Sequence, residues 1–506
     1  MIGVFMEKLK ELFKKRWFYI ACGIMIAIQV VFSLRFMGRQ YFSLDEVSQI
    51  GFIAKKNSLG KILDYYLTSE VTNLPLWPLL AAAWYRIVPY GEGWMRFITV
   101  ILTTISILVM TKMAKEYGGE RVGLLMTVLT CISAIVMQKC GLTFRVHAFW
   151  LMFTALVLWQ YIKRVKSMGY ESYRRIIVLG VCMAGLAYSH YFGCLTIVYL
   201  FCMDAVLFLT HKIRGRFIIS YLIGGGSLMP WFLYMLIKRT MNLEEFWPKT
   251  PTFESIPKAL RFVVSNDEPV YILLILAMVA SVLILIRKFV EDGKELQNEF
   301  IRFGLAMMPL VFAVGDYIYS AHINQHSGIF VYRYFLSCIP AGLLSVAIFM
   351  DDVLRVLSDR LKVSKVMAYG LTVALTFLYL GSGNYYYDVK DEISAPYDNT
   401  YGNVRDAIVA DGRLGDENTM IAINANRANA DGFEEYYLEY AGTGEEVHVV
   451  SNDDLDIAEQ IKKADHIYIY QVMHGTPDVF TDLMGNEFKQ TRFDENIGLY
   501  VFERIN

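Results

Sequence analysis

The chain has 506 residues, of which 55% are hydrophobic, with a mean hydropathy of +0.37 and a net charge of -1. This apolar content exceeds that of ordinary soluble domains, and the balanced charge gives no basis for binding nucleic acid. Aromatic residues make up 14% of the chain, and such rings favour the two interfaces of a bilayer. The composition therefore predicts a membrane protein.

Apolar runs along residues 1–384 predict about eleven transmembrane helices. Each run approaches the roughly 20 residues that a spanning helix needs. The runs lie at 17–36, 93–111, 122–138, 144–162, 176–189, 192–210, 217–237, 270–286, 302–319, 335–350 and 366–384. This region is therefore predicted to form a polytopic α-helical membrane domain.

The distribution of Lys and Arg predicts the orientation of that domain. If the N-terminus is cytoplasmic, the inner segments hold 24 Lys and Arg in 77 residues, and the outer segments hold 13 in 114. An excess of this kind marks cytoplasmic loops. An odd number of spans then places residues 385–506 on the extracytoplasmic side of a multi-pass cell-membrane protein.

The first outer loop, residues 37–92, carries an acidic pair directly after the first span. Asp45 and Glu46 open a stretch, 44–70, in which apolar positions recur at helical spacing. This spacing predicts helices that lie along the membrane surface. The Pro-rich run "LPLWPLLAAAWYRIVPY" is too short to span and is predicted to lie at the interface.

Residues 385–506 are polar and differ in kind from the rest of the chain. Short strand-like runs, "TMIAINA", "EVHVVS", "HIYIYQV" and "IGLYVFERI", alternate there with helix-like stretches. Such alternation predicts a small extracytoplasmic α/β domain. It has no glycine-rich phosphate loop, so acceptor binding and a structural cover are both open roles for it.

Ionisable residues collect at the predicted outer ends of the membrane helices. A carboxylate at this height can remove a proton from a hydroxyl group. Arginines at the same height can hold a phosphate through paired N–H donors. Together they suit the transfer of a sugar from a polyprenyl phosphate, whose tail stays in the bilayer. The residues are Asp45, Glu46, Arg96, Lys139, Arg145, His190, Tyr191, Asp316, His322, His326 and Arg333.

Several segments resemble the GT-C membrane glycosyltransferases, in particular the bacterial relatives of protein O-mannosyltransferases and aminoarabinose lipid A transferases. "LDE" at 44–46 is similar to the acidic motif of that family's first periplasmic loop. "NLPLWPLLAAAWYRIVPYGEGWMRFITVI", "LTFRVHAFWL", "YSHYFGCL" and "VYRYFLSCIP" are similar to its later motifs, in the same order and on the same outer side. The resemblance covers roughly residues 17–384 and implies a GT-C arrangement of the helices.

The resemblance also implies roles for individual residues. Asp45 would be the general base, and Glu46 would shape the site beside it. Arg145 and Arg333 would bind the donor phosphate, and Lys139, at the same turn as Arg145, is a further candidate for this role. Candidates for substrate binding are Arg96, His190, Tyr191 and Asp316.

Three positions depart from the family pattern. Leu74 stands for the first Pro of the Pro-Pro-Leu motif, Thr143 for a Glu, and His147 for a Tyr. These departures concern contacts to the sugar more than the acid–base step. The expected reaction is a one-step attack of an acceptor on the anomeric carbon, with inversion, and the acceptor is not specified by the sequence.

No obligatory metal or other cofactor is expected, although the site is compatible with a divalent cation. His322 and His326 have ligand-like i, i+4 spacing, but transition metals usually gather three or more protein ligands.

Simpler interpretations stand beside these roles. The Asp45–Glu46 pair could cap an interfacial helix, and Arg145 could extend to lipid head groups. A transporter or lipid flippase of a cell-envelope glycan pathway would explain the spans equally well, as would a non-catalytic scaffold.

Overall fold

The computed structural model describes residues 2–362 and 401–505 with several gaps, and between these blocks it describes 364, 367, 369–372 and 374. The gaps are 55–57, 69–73, 90, 167–171, 211, 239–249, 292–295, 324–328, 414–415, 417, 426, 439–447, 453 and 472–477. The predicted domain boundary at 384/385 lies outside the described residues.

In the first part of the chain, the regular elements of the described residues are all helices. Its α-helices are α1 (Ile2–Phe36), α2 (Leu44–Ala54), α3 (Leu59–Thr68), α4 (Leu76–Tyr85), α5 (Glu92–Gly118), α6 (Glu120–Cys131), α7 (His147–Lys166), α8 (Tyr173–Ser189), α9 (Tyr191–Leu209), α10 (Ile218–Ser227), α11 (Met229–Lys238), α12 (Ser255–Val263), α13 (Glu268–Glu291), α14 (Gln297–Ile318) and α15 (Ile339–Leu361). Short π- and 3₁₀-helical turns occupy Val136–Gly141, Gly215–Phe217, Tyr319–Ile323 and Tyr332–Cys338.

Seven helical segments of the described chain are long and apolar enough to cross a membrane. They are Arg16–Phe36, Glu92–Gly118, Tyr191–Leu209, Gly215–Tyr234, Glu268–Glu291, Gln297–Ile323 and Tyr332–Arg360. The chain is therefore a multi-pass membrane protein. Helices also cover most of the predicted spans at 122–138, 144–162 and 176–189, which fall short of this length or hydropathy. Most of the predicted span at 366–384 lies outside the described residues.

The predicted first outer loop, residues 37–92, folds into the three short helices α2, α3 and α4. Helix α2 packs against α4, and α3 packs against α4 as well. The apolar residues of α2, Val47, Ile50 and Ile53, are fully buried in the main core. Because these residues recur at helical spacing, α2 turns one face inward and leaves Asp45 partly exposed, at 45% of its side chain.

The C-terminal part is a five-stranded mixed sheet with helices. Its strands are β1 (Thr419–Asn424), β2 (His448–Ser451), β3 (His466–Gln471), β4 (Phe488–Asp494) and β5 (Leu499–Arg504), in the spatial order β2-β1-β3-β5-β4. Strands β2, β1 and β3 are parallel, and β5 pairs antiparallel with β3 and β4. The helices are α16 (Tyr401–Asp411), α17 (Arg427–Gly432), α18 (Ile457–Lys463) and α19 (Asp478–Met484), with a π-helical turn at Phe433–Leu438.

The two faces of this sheet are covered differently. One face packs on α18 and α19 around Ile467, Ile469 and Phe480, and forms a small core of its own. The other face belongs to the same core as the membrane helices, because Tyr468 and Tyr470 share that core with the residues of α2. The C-terminal part therefore rests directly on the first outer loop.

Candidate active site

The acidic motif forms the first turn of α2. Ser43 precedes the helix, and its backbone N–H and its hydroxyl each donate a hydrogen bond to Glu46 Oε2 at 3.0 Å. This is the return bond of a capping box, in which a Glu three residues into a helix satisfies the backbone N–H before it. The spacing Ser-x-x-Glu thus fixes where α2 begins, and with it the position of Asp45.

Glu46 forms a buried ion pair with Arg96, which lies in the second turn of α5. Arg96 Nε donates to Glu46 Oε1 at 2.8 Å, and both side chains are 3% exposed. The other guanidinium N–H groups reach Glu46 Oε2 and the carbonyl oxygens of Met37, Gln40 and Tyr41 at 2.8–3.1 Å. All five donors of the guanidinium therefore have acceptors in the loop that leads into α2.

The same carboxylate also connects α2 to the start of α7. Glu46 Oε1 accepts a hydrogen bond from the backbone N–H of Phe144 at 2.7 Å. Asp45 is the chain neighbour of Glu46, and Arg145 is the chain neighbour of Phe144. The bond between Glu46 and Phe144 therefore brings Asp45 and Arg145 side by side. Burial raises the pKa of Glu46, but the Arg96 charge and these hydrogen bonds outweigh it and leave the pKa below its ordinary value.

This geometry bears on two predicted roles. Glu46, expected to shape the site beside Asp45, and Arg96, a candidate for substrate binding, are both buried, and their polar atoms are engaged by the protein. Their contacts join the segments that carry Asp45 and Arg145. Neighbouring positions on a helix point about 100° apart. The sequence alone does not show which of these directions the rest of the protein covers, so it could not separate the buried Glu46 from the partly exposed Asp45.

Asp45 contacts both arginines that were predicted to bind phosphate. Asp45 Oδ2 lies 3.1 Å from Arg145 Nη1 and 3.1 Å from Arg333 Nη1. The three side chains are 45%, 24% and 30% exposed, respectively, so the cluster opens to the surface. The residues come from the start of α2, the segment before α7 and the turn before α15, which brings three distant parts of the sequence to one end of the bundle.

An aromatic group lies beside the two arginines. The sequence named His190 as a substrate-binding candidate, but it did not assign Trp150, Phe192 or Tyr334 to the site. The His190 ring stacks on Trp150, with centroids 4.2 Å apart and planes at 7°. Tyr334, next to Arg333 in the chain, lies 5.3 Å from His190 and 4.3 Å from Phe192. The motifs that contain these residues could have indicated them, because each places an aromatic residue near a charged or polar one.

His190 is held as a neutral ring. Its Nδ1 accepts a hydrogen bond from the backbone N–H of Phe192 at 3.2 Å, which places the ring proton on Nε2. Burial, together with the charges of Arg145 and Arg333, lowers the pKa of His190 to about 3. His190 therefore offers a neutral N–H donor beside the arginines.

The remaining predicted residues lie apart from this cluster. The Tyr191 hydroxyl accepts from Trp231 Nε1 at 3.1 Å, and Asp316 is buried and accepts from Ser320 at 3.4 Å. The backbone carbonyl oxygen of Lys139 lies 3.2 Å from His147 Nδ1. Among the described residues, no contact joins these three side chains to Asp45. His322 packs edge-on against Tyr317, and His326 lies outside the described residues.

The assembled site combines a partly exposed carboxylate, two cations on the same oxygen of that carboxylate, and an aromatic shelf. We define this shelf as Trp150, His190, Phe192 and Tyr334. A few convergent polar groups beside apolar and aromatic ones are the usual make-up of a small-molecule site. The two guanidinium groups can bind an anion, and the carboxylate can accept a proton.

Comparison with known proteins identifies the fold. No family model and no curated protein matches the chain. ArnT from Cupriavidus metallidurans in the apo state matches with a TM-score of 0.60 and 11% identity, over 95% of this chain and 97% of that one. ArnT from the same organism bound to undecaprenyl phosphate matches with a TM-score of 0.59, the same identity and the same coverage.

An oligosaccharyltransferase from Archaeoglobus fulgidus in the apo form is more distant, with a TM-score of 0.48 and 12% identity over 90% of this chain and 70% of that one. ArnT has the GT-C architecture. The likeness to it extends over nearly the whole of both chains, and it confirms the fold that the sequence motifs indicated. The chain therefore has the GT-C fold of a polytopic membrane protein.

Proposed function

We propose that the protein is a membrane glycosyltransferase that transfers a sugar from a polyprenyl-phosphate-linked donor to an acceptor. The observation that carries this proposal is the contact of Asp45 with both Arg145 and Arg333 at 3.1 Å. One carboxylate and two cations at the mouth of a membrane bundle match the needs of a phosphate leaving group and a hydroxyl nucleophile. The GT-C fold, shared with an ArnT that binds undecaprenyl phosphate, supports the lipid-linked donor.

In the proposed reaction the acceptor oxygen attacks the anomeric carbon, and its proton passes to Asp45. The bond between the anomeric carbon and the phosphate oxygen breaks, and its electron pair leaves with the phosphate. Arg145 and Arg333 meet the charge that develops on that oxygen. The displacement takes place in one step, so the configuration of the anomeric carbon inverts.

The ion pairs of the cluster suggest how donor binding prepares the carboxylate. Both guanidinium groups contact Asp45 Oδ2. A lipid phosphate is also a bidentate partner for Arg, so it competes with Asp45 for these cations. Asp45 then becomes a better proton acceptor when the donor is in place.

The aromatic shelf gives the sugar a place beside the phosphate. His190 and Tyr334 lie next to Arg333 and are packed by Trp150 and Phe192. We assign the sugar ring to this shelf, with the His190 Nε2–H as one hydrogen-bond donor. We assign the reaction to the extracytoplasmic face, and the Lys and Arg distribution, which predicts that this end of the bundle is outside, supports that assignment.

A transfer assay tests the proposal. The protein is placed in lipid nanodiscs with radiolabelled polyprenyl-phosphate sugars and cell-envelope acceptor fractions, and labelled product is counted. We expect transfer by the wild type with inverted configuration. The Asp45→Asn variant is expected to lose about 100- to 10,000-fold in rate, the usual range for a general base.

Asp352→Asn is the matched control, because Asp352 pairs with Arg302 at 2.7 Å and is 43% exposed, close to the 45% of Asp45. It is expected to keep the wild-type rate. Equal transfer by wild type and Asp45→Asn would reject Asp45 as the base. Movement of the intact donor across the bilayer without its consumption would instead identify a lipid flippase.

A further inference from the structure

The C-terminal part contacts the loop that leads into α2 through a buried tyrosine. Tyr437 Oη accepts a hydrogen bond from the backbone N–H of Phe42 at 2.9 Å and lies 3.4 Å from Glu92 Oε1, to which it can donate. Burial, followed by the charge of Glu92, holds the pKa of Tyr437 well above its ordinary value. The hydroxyl therefore stays protonated and can make both hydrogen bonds.

Aromatic and charged contacts surround this hydrogen bond. The Phe42 ring packs edge-on against Tyr436, with centroids 4.8 Å apart. The Tyr41 hydroxyl donates to Asp406 Oδ2 of α16 at 2.8 Å. The Arg405 guanidinium lies over the Tyr41 ring at 5.7 Å. Both residues at the entry to α2 are thus held by the C-terminal part.

Two glycines allow the backbones on the two sides to touch. A Cβ at Gly432, the last residue of α17, would lie 2.1 Å from the carbonyl oxygen of Val47 in α2. A Cβ at Gly402 would lie 2.1 Å from the ring of Tyr41. Ordinary contacts of a Cβ are 3.4–4 Å, so a methyl group at either position would force the two sides apart by more than 1 Å.

These contacts hold the backbone on both sides of Asp45, the proposed general base. Val47 stands two residues after Asp45 in α2, and Phe42 stands three residues before it. On its other side, α2 is held by the Glu46–Arg96 pair and by α4. The position of Asp45 therefore depends on both the membrane helices and the C-terminal part.

We propose that the C-terminal α/β part is a positioning element for catalysis, in which Tyr437 and Gly432 set the place of Asp45. The proposal deepens the glycosyltransferase function and rests on it. It gives the C-terminal part a role in the rate of transfer, in addition to any role in binding the acceptor. Arg145 and Arg333 come from the segment before α7 and the turn before α15, so we expect donor binding to depend little on this interface.

Full-length Gly432→Ala and Tyr437→Phe variants test this proposal with two measurements. The first is transfer kinetics. A displacement of about 1 Å can cost about 100-fold in rate, so we expect kcat of Gly432→Ala to fall by about that factor. For Tyr437→Phe, which leaves the Phe42 N–H without its acceptor, we expect a fall of about tenfold. The KM for the donor should stay within about threefold of wild type.

The second measurement is hydrogen–deuterium exchange of the peptide 43–54, which needs no activity. We expect its amides to exchange about tenfold faster in both variants. Gly225→Ala and Tyr468→Phe are matched controls. A Cβ at Gly225 meets nothing within 4 Å, and the Tyr468 hydroxyl donates to Asp411 within the C-terminal part. Both controls should keep wild-type exchange in this peptide.

The two measurements separate the two proposals. If the wild type transfers no sugar, the proposed function fails, and the exchange data alone decide the positioning role. If Gly432→Ala and Gly225→Ala show the same exchange in peptide 43–54 and the same kcat, the positioning role is overturned. It is also overturned if Tyr437→Phe and Tyr468→Phe lower kcat equally.

Discussion

The molecule contains two Arg–Asp clusters with the same kinds of side chain and opposite environments. In the membrane helices, Arg164 Nη2 contacts both oxygens of Asp204 at 2.5 Å, and the Tyr221 hydroxyl donates to Asp204 at 2.7 Å. Arg164 and Asp204 are 1% and 0% exposed. In the proposed site, Asp45 and its two arginines are between 24% and 45% exposed.

The two clusters have the same residue types, so it is their exposure to solvent that distinguishes the buried structural pair from the proposed functional one. The charges of a buried pair have lost their hydration, so separating them leaves each charge buried without compensation. An open pair keeps contact with water and contributes little to stability. Asp204 and Arg164 thus join α7, α9 and α10, while Asp45, Arg145 and Arg333 can exchange partners with a substrate.

The largest expected effect on stability comes from breaking the buried cluster. Asp204→Ala leaves the Arg164 charge buried without its partner, so the free energy of unfolding should fall by about 3–5 kcal/mol. Thermal melting in detergent measures this loss. Replacing both partners, as Arg164→Met with Asp204→Leu, should restore most of the stability, and a double variant as unstable as the single one would contradict the comparison.

Glu46→Gln tests the second buried pair. The amide keeps the shape of Glu46 but removes the charge that faces Arg96, so we expect a loss of about 2–3 kcal/mol in the free energy of unfolding. Transfer should also fall, because the bond to Phe144 that aligns Arg145 weakens. Asp45→Asn is the contrast, since it should change the melting temperature little while it slows transfer by about 100- to 10,000-fold.

A smaller effect is expected from the neutral His190 ring. Its pKa is lowered to about 3 in the folded protein, whereas the unfolded chain takes up a proton near pH 6.5. The folded state binds fewer protons between these values, so its stability falls as the pH falls. Between pH 6.5 and 5 the loss is about 1.5 kcal/mol. Melting of His190→Gln should depend less steeply on pH, and an equal slope would refute the neutral ring.

The smallest effect concerns Lys139. It stands at the same turn as Arg145 but makes no contact with Asp45 among the described residues. We expect Lys139→Gln to raise the KM for the donor about two- to threefold, with a weaker effect at high salt because exposed charges are screened. A loss as large as that of Arg145→Gln would place Lys139 among the direct phosphate ligands.

Much of this architecture is readable from the sequence. The apolar runs indicate the membrane helices, and the alternation in the last 120 or so residues indicates the mixed sheet. Asp45, Arg145 and Arg333 could be grouped because each lies at the end of a predicted span on the same side. That grouping needs only topology, and the structure places these three residues in contact.

Two features could not be read in this way. The separation of Asp45 from Glu46 depends on which face of α2 is covered, and that is decided by Arg96 and Phe144, which are distant in sequence. The packing of the C-terminal part against α2 depends on Gly432 and Tyr437. Their contact partners lie almost 400 residues earlier in the chain. No local pattern encodes such a contact.

The most direct test of the central claim measures binding of undecaprenyl phosphate, the leaving-group half of the proposed donor, without any turnover. In the proposed reaction, Arg145 and Arg333 bind the phosphate, and Asp45 accepts the proton of the acceptor hydroxyl. Binding to nanodisc-embedded wild type, Asp45→Asn and the double variant Arg145→Gln with Arg333→Gln is compared by titration.

We predict that Asp45→Asn binds undecaprenyl phosphate as tightly as wild type or more tightly, because its arginines no longer have a competing carboxylate. The double arginine variant should bind at least tenfold more weakly, since it loses two charge-assisted contacts. Loss of binding in Asp45→Asn, or wild-type binding by the double arginine variant, would contradict the account.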